Sequence, residues 1–256
     1  SFEKHAVTLL HGVTASGKTE IYIKLIQEVL QSGSQVLLLL PEIALTTQIV
    51  GRLKQVFGSQ MGVYHSKYSD NERVEVWNGV LSGRFSFVVG VRSSIFLPFD
   101  SLGLVIVDEE HEPSYKQFDP APRFHARDAA TMLAYFHQAR TLLGSATPSF
   151  ESYANASQGK YGYVQITHRF GDARLPEFHL ANIPSDRKKN LLKLDSTRLL
   201  REKIQHALEN QQQVIIFQNR RGYSPYVQCE DCSWTGQCVS AARCSRCRQR
   251  FCAWMR

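Results

Sequence analysis

The fold class this sequence predicts is a doubly wound parallel α/β sheet, and three observations predict it. Short apolar runs alternate with stretches of helical periodicity along the first two-thirds of the chain. The first run opens into residues 12–19, which fit the phosphate-binding pattern G-x-x-x-x-G-K-[S/T] at every fixed position. A later run ends in Asp108-Glu109-Glu110-His111. A carboxylate pair at the tip of a buried strand is costly unless it serves a cation.

Residues 7–10 form the first strand, and Ile21, Tyr22, Ile23, Leu25, Ile26, Val29 and Leu30 mark a helix after the loop. Between them, Gly12, Val13, Thr14, Ala15, Ser16 and Gly17 can turn backbone N–H groups around phosphate oxygens. The helix that follows adds its positive dipole end. Lys18 reaches the β- and γ-phosphates of a nucleoside triphosphate, the Thr19 hydroxyl completes a Mg²⁺ shell, and Glu20 closes the nucleotide-binding stretch.

Residues 35–40 read as a strand buried on both faces, running into a turn that carries Thr46 and Thr47. Such turns are where open α/β sheets hold ligands. The threonines either contact a phosphate backbone or cap the next helix. A strand is expected over 61–65, a helix over 69–81 and a strand over 85–90. Arg92 and Ser93 then sit in a small basic loop. Residues 102–107 are the run that ends at Asp108, which can hold Mg²⁺, while Glu109 can polarise the water that attacks the γ-phosphate.

Residues 112–125 interleave Pro113, Pro120 and Pro122 with Tyr115, Phe118 and Phe124, beside Lys116, Arg123 and Arg127. Aromatics in a cationic loop can stack bases, or they can form the loop's own small core. A helix follows over 126–139 and a strand over 140–144. The strand carries Ser145, Ala146, Thr147 and Pro148, a polar turn able to bridge the nucleotide site to a neighbouring lobe.

The first lobe is expected to close at 168, with an interlobe connection over 169–195. A second lobe begins over 196–225, with a helix over 196–208 (Leu199, Leu200, Ile204 and Leu208 on one face) and a strand over 214–217. Residues 226–256 form a cysteine-rich region.

The formal net charge of the 256 residues is +7, and 43% of them are hydrophobic, enough for a real core. From Asn219 onward seven arginines face two acids, so the basic excess is concentrated at that end and supports a nucleic-acid partner only weakly. No apolar run approaches the ~20 residues that span a bilayer, and no signal peptide is expected. All six cysteines lie between Cys229 and Cys252. In a reducing compartment, clustered cysteines point to metal rather than disulfides.

The motifs resemble those of superfamily 2 helicases, and more closely the primosomal protein N′ family of replication-restart helicases. The stretches that carry the match are HGVTASGKTE (11–20), PEIALTTQ (41–48), VGVRSS (89–94) and VDEEHEPSYKQ (107–117). RFHARDAA (123–130), LGSATP (143–148) and FQNRRGYSP (217–225) continue it. The resemblance implies a RecA-like lobe, 3′→5′ unwinding driven by ATP and Mg²⁺, and a role in primosome assembly and fork restart. Lys18, Asp108 and Glu109 would do the hydrolytic work at a DEAH-like box. His111, Ser145, Ala146 and Thr147 would couple hydrolysis to movement. Thr46, Thr47, Arg92, Ser93, Tyr115, Lys116 and Arg123 would face DNA, single-stranded or forked. Other primosome proteins and single-stranded DNA-binding protein are implied as partners, with a bacterial cytoplasmic, nucleoid-associated location.

Departures from the family pattern carry their own expectations. Ala15 stands where glycine is usual, at a variable position, and a working loop is expected. The family's N-terminal DNA-binding domains and later second-lobe motifs have no counterpart in this sequence, so slow hydrolysis is expected of it alone. The family's paired C-x-x-C knuckles bind Zn²⁺. Cys229, Cys232 and Cys238 match, but Ala241 replaces the next cysteine and the match fails from Val239. A shifted frame and a divergent terminus both fit that ending. Cys244 and Cys247 supply a second C-x-x-C pair that, with Cys229 and Cys232, can complete a tetrahedral site. Two other functions stay open: a P-loop enzyme that does not act on DNA, such as a kinase, and a catalytically impaired, zinc-stabilised interaction module.

Overall fold

A computed structural model describes residues 4–41, 47–65, 68–171, 176–193 and 196–217, and the backbone of two short strands at 228–229 and 251–252. It divides into two compact units, 1–174 and 175–256.

In the first unit, strands and helices alternate in chain order: β1 (Val7–Gly12), α1 (Lys18–Gln31), β2 (Gln35–Leu39), α2 (Thr47–Phe57), β3 (Met61–Tyr64) and α3 (Asp70–Leu81). Then come β4 (Phe87–Gly90), β5 (Leu102–Asp108), α4 (Ala126–Phe136), β6 (Arg140–Ser145), α5 (Phe150–Ser157) and β7 (Gly162–Ile166). The strands form one parallel sheet in the order β3-β4-β2-β5-β6-β1-β7.

Alternate residues of the central strands enter two separate cores, as the two-residue period of a strand requires. Leu10, Val36, Leu38, Leu104, Ile106 and Leu142 pack with Tyr22, Ile23 and Ile26 of α1 and with Leu53 and Phe57 of α2. Leu9, Leu37, Leu39, Val105, Val107 and Leu143 pack with Val76 and Val80 of α3 and Ala126, Ala130 and Ala134 of α4. The doubly wound expectation therefore holds, and every strand runs its carboxyl end toward the same rim. α3 starts where Ser69 and Glu72 exchange side-chain and backbone hydrogen bonds, a capping box that satisfies two orphan donors.

Three expectations need correction. A seventh strand, β7, joins the sheet beside β1. The Glu112–His125 stretch is not an open loop. It contains a helical turn at Pro113–Tyr115, an antiparallel bridge from Lys116 to His125 and a Gln117 N–H donated to the Phe124 carbonyl at 2.9 Å. The strand expected over 214–217 does not form. A lone strand is not stable without a partner, none pairs with it among the described residues, and Ile215, Ile216 and Phe217 lie exposed.

The second unit contains α6 (Ile183–Lys188) inside the expected connection, α7 (Arg198–Glu209), and an antiparallel pair of β8 (Gln228–Cys229) with β9 (Phe251–Cys252). Thr197 caps α7 by accepting the Leu200 N–H at 3.3 Å. α7 buries none of its residues, and Leu200 and Leu208 of its predicted apolar face are exposed.

Candidate active site

The loop after β1 is built for close approach. A β-carbon on Gly12 would stand 2.7 Å from Ser16 Oγ and 3.1 Å from Lys18 Cγ, so glycine leaves room for both side chains to close over the strand end. The Val13 N–H is held by the Ile166 carbonyl of β7 at 3.1 Å, and the Ala15 carbonyl accepts from the Phe170 N–H at 2.8 Å. No side chain caps the amino end of α1, where Gly17 takes φ +85°. Lys18 Nζ donates to the Gly12 carbonyl at 2.8 Å, folding back over the loop. Ser16 Oγ is buried with no hydrogen-bond partner in the protein. An uncapped positive helix end, a lysine over it and an orphaned hydroxyl are what an anionic phosphate chain satisfies. Thr19 and Asp108 supply the hard oxygen donors that Mg²⁺ prefers. The residues present fit a Mg²⁺-bound nucleotide.

Ala15 has φ +62°. The departure from glycine therefore carries a left-handed backbone cost of roughly 1–2 kcal/mol. Glu20 does not turn to the loop. It pairs with Arg52 of α2.

β5 delivers Asp108 to the rim, where Oδ1 accepts the Tyr22 hydroxyl of α1 at 2.8 Å. Burial raises the Asp108 carboxyl above its ordinary value, while the Tyr22 hydrogen bond and nearby Lys18 oppose the shift. Burial and the carboxylate together push the Tyr22 hydroxyl well up, so at neutral pH it is a donor.

The chain then reverses at Glu109, a non-glycine residue at φ +46°, held by the Glu110 N–H on the Gly144 carbonyl at 3.1 Å. That turn separates two chemically identical neighbours. Glu109 keeps a side chain 37% exposed, whereas Glu110 is fully buried. Glu110 accepts from Arg127 at 3.1 Å, from the Ser149 N–H at 2.7 Å, and from the Ser149 and Ser152 hydroxyls, both at 2.9 Å. Arg127 also bonds Ser149 Oγ at 2.7 Å and Asp128 at 2.8 Å. Glu110 is thus the anchor that ties the acidic motif to α4 and α5, and is closed to a reacting water.

His111 and the β6 turn meet directly. His111 Nδ1 lies 2.8 Å from Ser145 Oγ and 3.6 Å from a Glu109 oxygen, and its Nε2 lies 3.3 Å from Thr147 Oγ1. Ser145 Oγ also accepts the Thr147 N–H at 3.0 Å, across the half-buried Ala146. These groups form one hydrogen-bonded set beside Glu109.

The DNA-facing expectations divide. Tyr115 is 1% exposed, and its hydroxyl donates to the Asp108 carbonyl at 2.7 Å and the Leu39 carbonyl at 3.1 Å. It is a core pin under the acidic motif with no ring face for a base to stack on, which corrects its assignment to DNA. Phe124 packs against the same core cluster as Tyr115 and edge-on against the exposed Phe96 at 5.1 Å, while Phe118 stays exposed. Arg92 bonds the Ser114 and Lys116 carbonyls, each at 3.2 Å, and Lys116 Nζ bonds the Arg123 carbonyl at 3.1 Å. Arg123 and Thr47 are exposed and Ser93 is half-buried. Thr46 lies outside the described residues, as do Cys232, Cys238, Cys244 and Cys247. Of Cys229, only its place in β8 is described. Among the described residues, no group of three His, Cys, Asp or Glu side chains is placed to hold a metal ion.

Sequence reasoning missed Tyr22, Ser149 and Ser152. It shows Arg127 only as a cation beside the aromatic loop, whereas the structure makes it the buried partner of Glu110.

Residues 2–156 match the DEAD/DEAH box helicase family model. The chain belongs to the DEAD/DEAH box helicase family. This helicase-family chain is 43% identical over 236 residues to the replication restart protein PriA of Bacillus subtilis, covering 92% of the chain and 29% of that relative. It is 44% identical over 230 residues to PriA of Chlamydia pneumoniae, covering 90% and 31%. The chain therefore spans about a third of the length of the curated relatives it matches. Among solved structures, RecG bound to a three-way DNA junction aligns at TM-score 0.49 and 23% identity, over 66% of this chain and 22% of that one.

Proposed function

We propose that this chain is the nucleotide-hydrolysing part of a replication-restart DNA helicase. The observation that carries the proposal is the convergence at one sheet rim of the phosphate loop, Asp108, the open Glu109 and the His111–Ser145–Thr147 set. Lys18 and the α1 amino end bind the phosphates, and Thr19 and Asp108 hold Mg²⁺, which supplies neutralisation of charge on the transferring phosphoryl group. Glu109 accepts the proton of the attacking water. Glu110 and Arg127 hold the turn that aims it.

Residues 1–168 serve as the first helicase lobe, 169–195 as a connection, 196–225 as the start of a second lobe and 226–256 as a cysteine-rich, zinc-binding region. Arg92, Ser93, Lys116, Arg123, Thr46 and Thr47 flank the DNA path. The relatives' restart role suggests forked and single-stranded DNA as substrate, 3′→5′ movement, primosome proteins and single-stranded DNA-binding protein as partners, and a site of action at the bacterial nucleoid. The relatives' restart role favours this reading over a kinase, and the Glu112–His125 segment closes into its own hairpin.

Fluorescence anisotropy of a labelled ATP analogue and of a labelled single strand tests the proposal. Both should bind, the analogue being lost in Lys18→Ala and the strand weakening steeply with salt. Analogue binding indifferent to Lys18, or a strand that does not bind at low salt, contradicts it.

A further inference from the structure

The geometry points to Tyr22 as the positioning residue for the metal-holding carboxylate. This deepens the nucleotide reading above and rests on it. Tyr22 projects from the second turn of α1, four residues after the lysine that meets the phosphates, and is 2% exposed. Its hydroxyl reaches across to β5 and donates to Asp108 Oδ1 at 2.8 Å. The Tyr115 hydroxyl holds the backbone carbonyl of the same residue at 2.7 Å. Asp108 is therefore fixed at main chain and side chain by two buried phenols, one from each face of the sheet.

β6 makes room for this contact. A β-carbon at Gly144 would lie 1.8 Å from the Tyr22 hydroxyl, 3.0 Å from its ring carbon Cζ and 3.4 Å from Asp108 Oδ1. Any residue larger than glycine there must push the hydroxyl off the carboxylate. Three segments, α1, β5 and β6, are thus shaped around a single hydrogen bond. With Oδ1 accepting from Tyr22 and the Glu109 N–H also bonded to the carboxylate, the remaining lone pairs are what is left for Mg²⁺ or its water. Partners of this kind fix a ligating carboxylate, and their loss costs about 10–100-fold in metal affinity.

Mg²⁺ titration of the chain with a fluorescent ATP analogue tests the inference. In Tyr22→Phe, the Mg²⁺ concentration for half-saturation should rise about tenfold, while analogue binding in excess EDTA stays at the parent level. Tyr22→Phe keeps the buried ring, so the fold is retained, and far-UV circular dichroism checks it. Gly144→Ala should raise the Mg²⁺ requirement in the same direction. The double variant should lose no more than the worse single, because both act on one contact. An unchanged or lowered Mg²⁺ requirement in Tyr22→Phe, or additive losses in the double variant, overturns the inference. Analogue binding in the parent that ignores Mg²⁺ overturns the nucleotide reading itself, and the inference with it.

Discussion

Glu110→Ala is the substitution with the largest effect that the structure allows one to size. It removes a carboxylate, fully buried, that accepts four hydrogen bonds. Arg127, whose side chain is 10% exposed, is left with Ser149 and the surface carboxylate of Asp128. Breaking a buried ion pair from one side costs about 3–5 kcal/mol. Asp128 still compensates part of the guanidinium charge, which favours the lower figure, and the stranded Ser149 N–H adds roughly 1 kcal/mol. A loss of about 4 kcal/mol follows. With a urea m-value of about 2 kcal/mol/M, the unfolding midpoint should fall by about 2 M. Far-UV circular dichroism against urea reads it. Arg127→Ala should lose a comparable amount, and the double variant less than the sum of the singles. A Glu110→Ala midpoint within about 0.3 M of the parent would refute the buried-anchor account and reopen Glu110 as a group available to the reaction.

Ala15→Val should cost at least about 1 kcal/mol, because a β-branched residue tolerates φ +62° poorly, while Ala15→Gly should not destabilise; thermal unfolding compares them. Tyr115→Phe should lose about 1–2 kcal/mol with its two carbonyl contacts yet leave single-strand affinity unchanged, and a selective loss of strand binding would restore Tyr115 to the DNA surface. Burial, with Arg127 nearby, lowers the His125 pKa below the ordinary 6.5. The unfolded chain therefore takes up the proton first, so stability holds above about pH 6.5 and declines as pH falls toward the depressed value. His125→Gln should flatten that decline in urea titrations between pH 5 and 7, and an unaltered slope would assign it to other groups.

What could be read from the residues follows from locality. β1 with its loop, β2 and β5 are apolar runs buried on both faces, and the helices between them repeat every three to four residues, so neighbouring side chains reveal them. β7 is an edge strand with exposed Tyr163 and Val164, and its pairing with β1 joins residues over 150 apart, which no local pattern encodes. Glu109 and Glu110 are identical neighbours. Only the left-handed turn and the arrival of α4 and α5 make one open and the other buried. Tyr115 stands among prolines and cations, a pattern that fits either a base-stacking aromatic or a small loop core, and the contacts that decide for burial come from β2 and β5. Residues 214–217 show the reverse failure, β-prone side chains without a described neighbour to pair with.

The central claim is that Glu109, and not its neighbour, handles the attacking water at a Mg²⁺–ATP site. Parallel measurement of ATP-analogue affinity and ATP turnover in Glu109→Gln, with single-stranded DNA present, tests it most directly. Affinity should stay parent-like with turnover reduced at least about 100-fold, the scale of a lost general base. Turnover at the parent rate with affinity intact would contradict it.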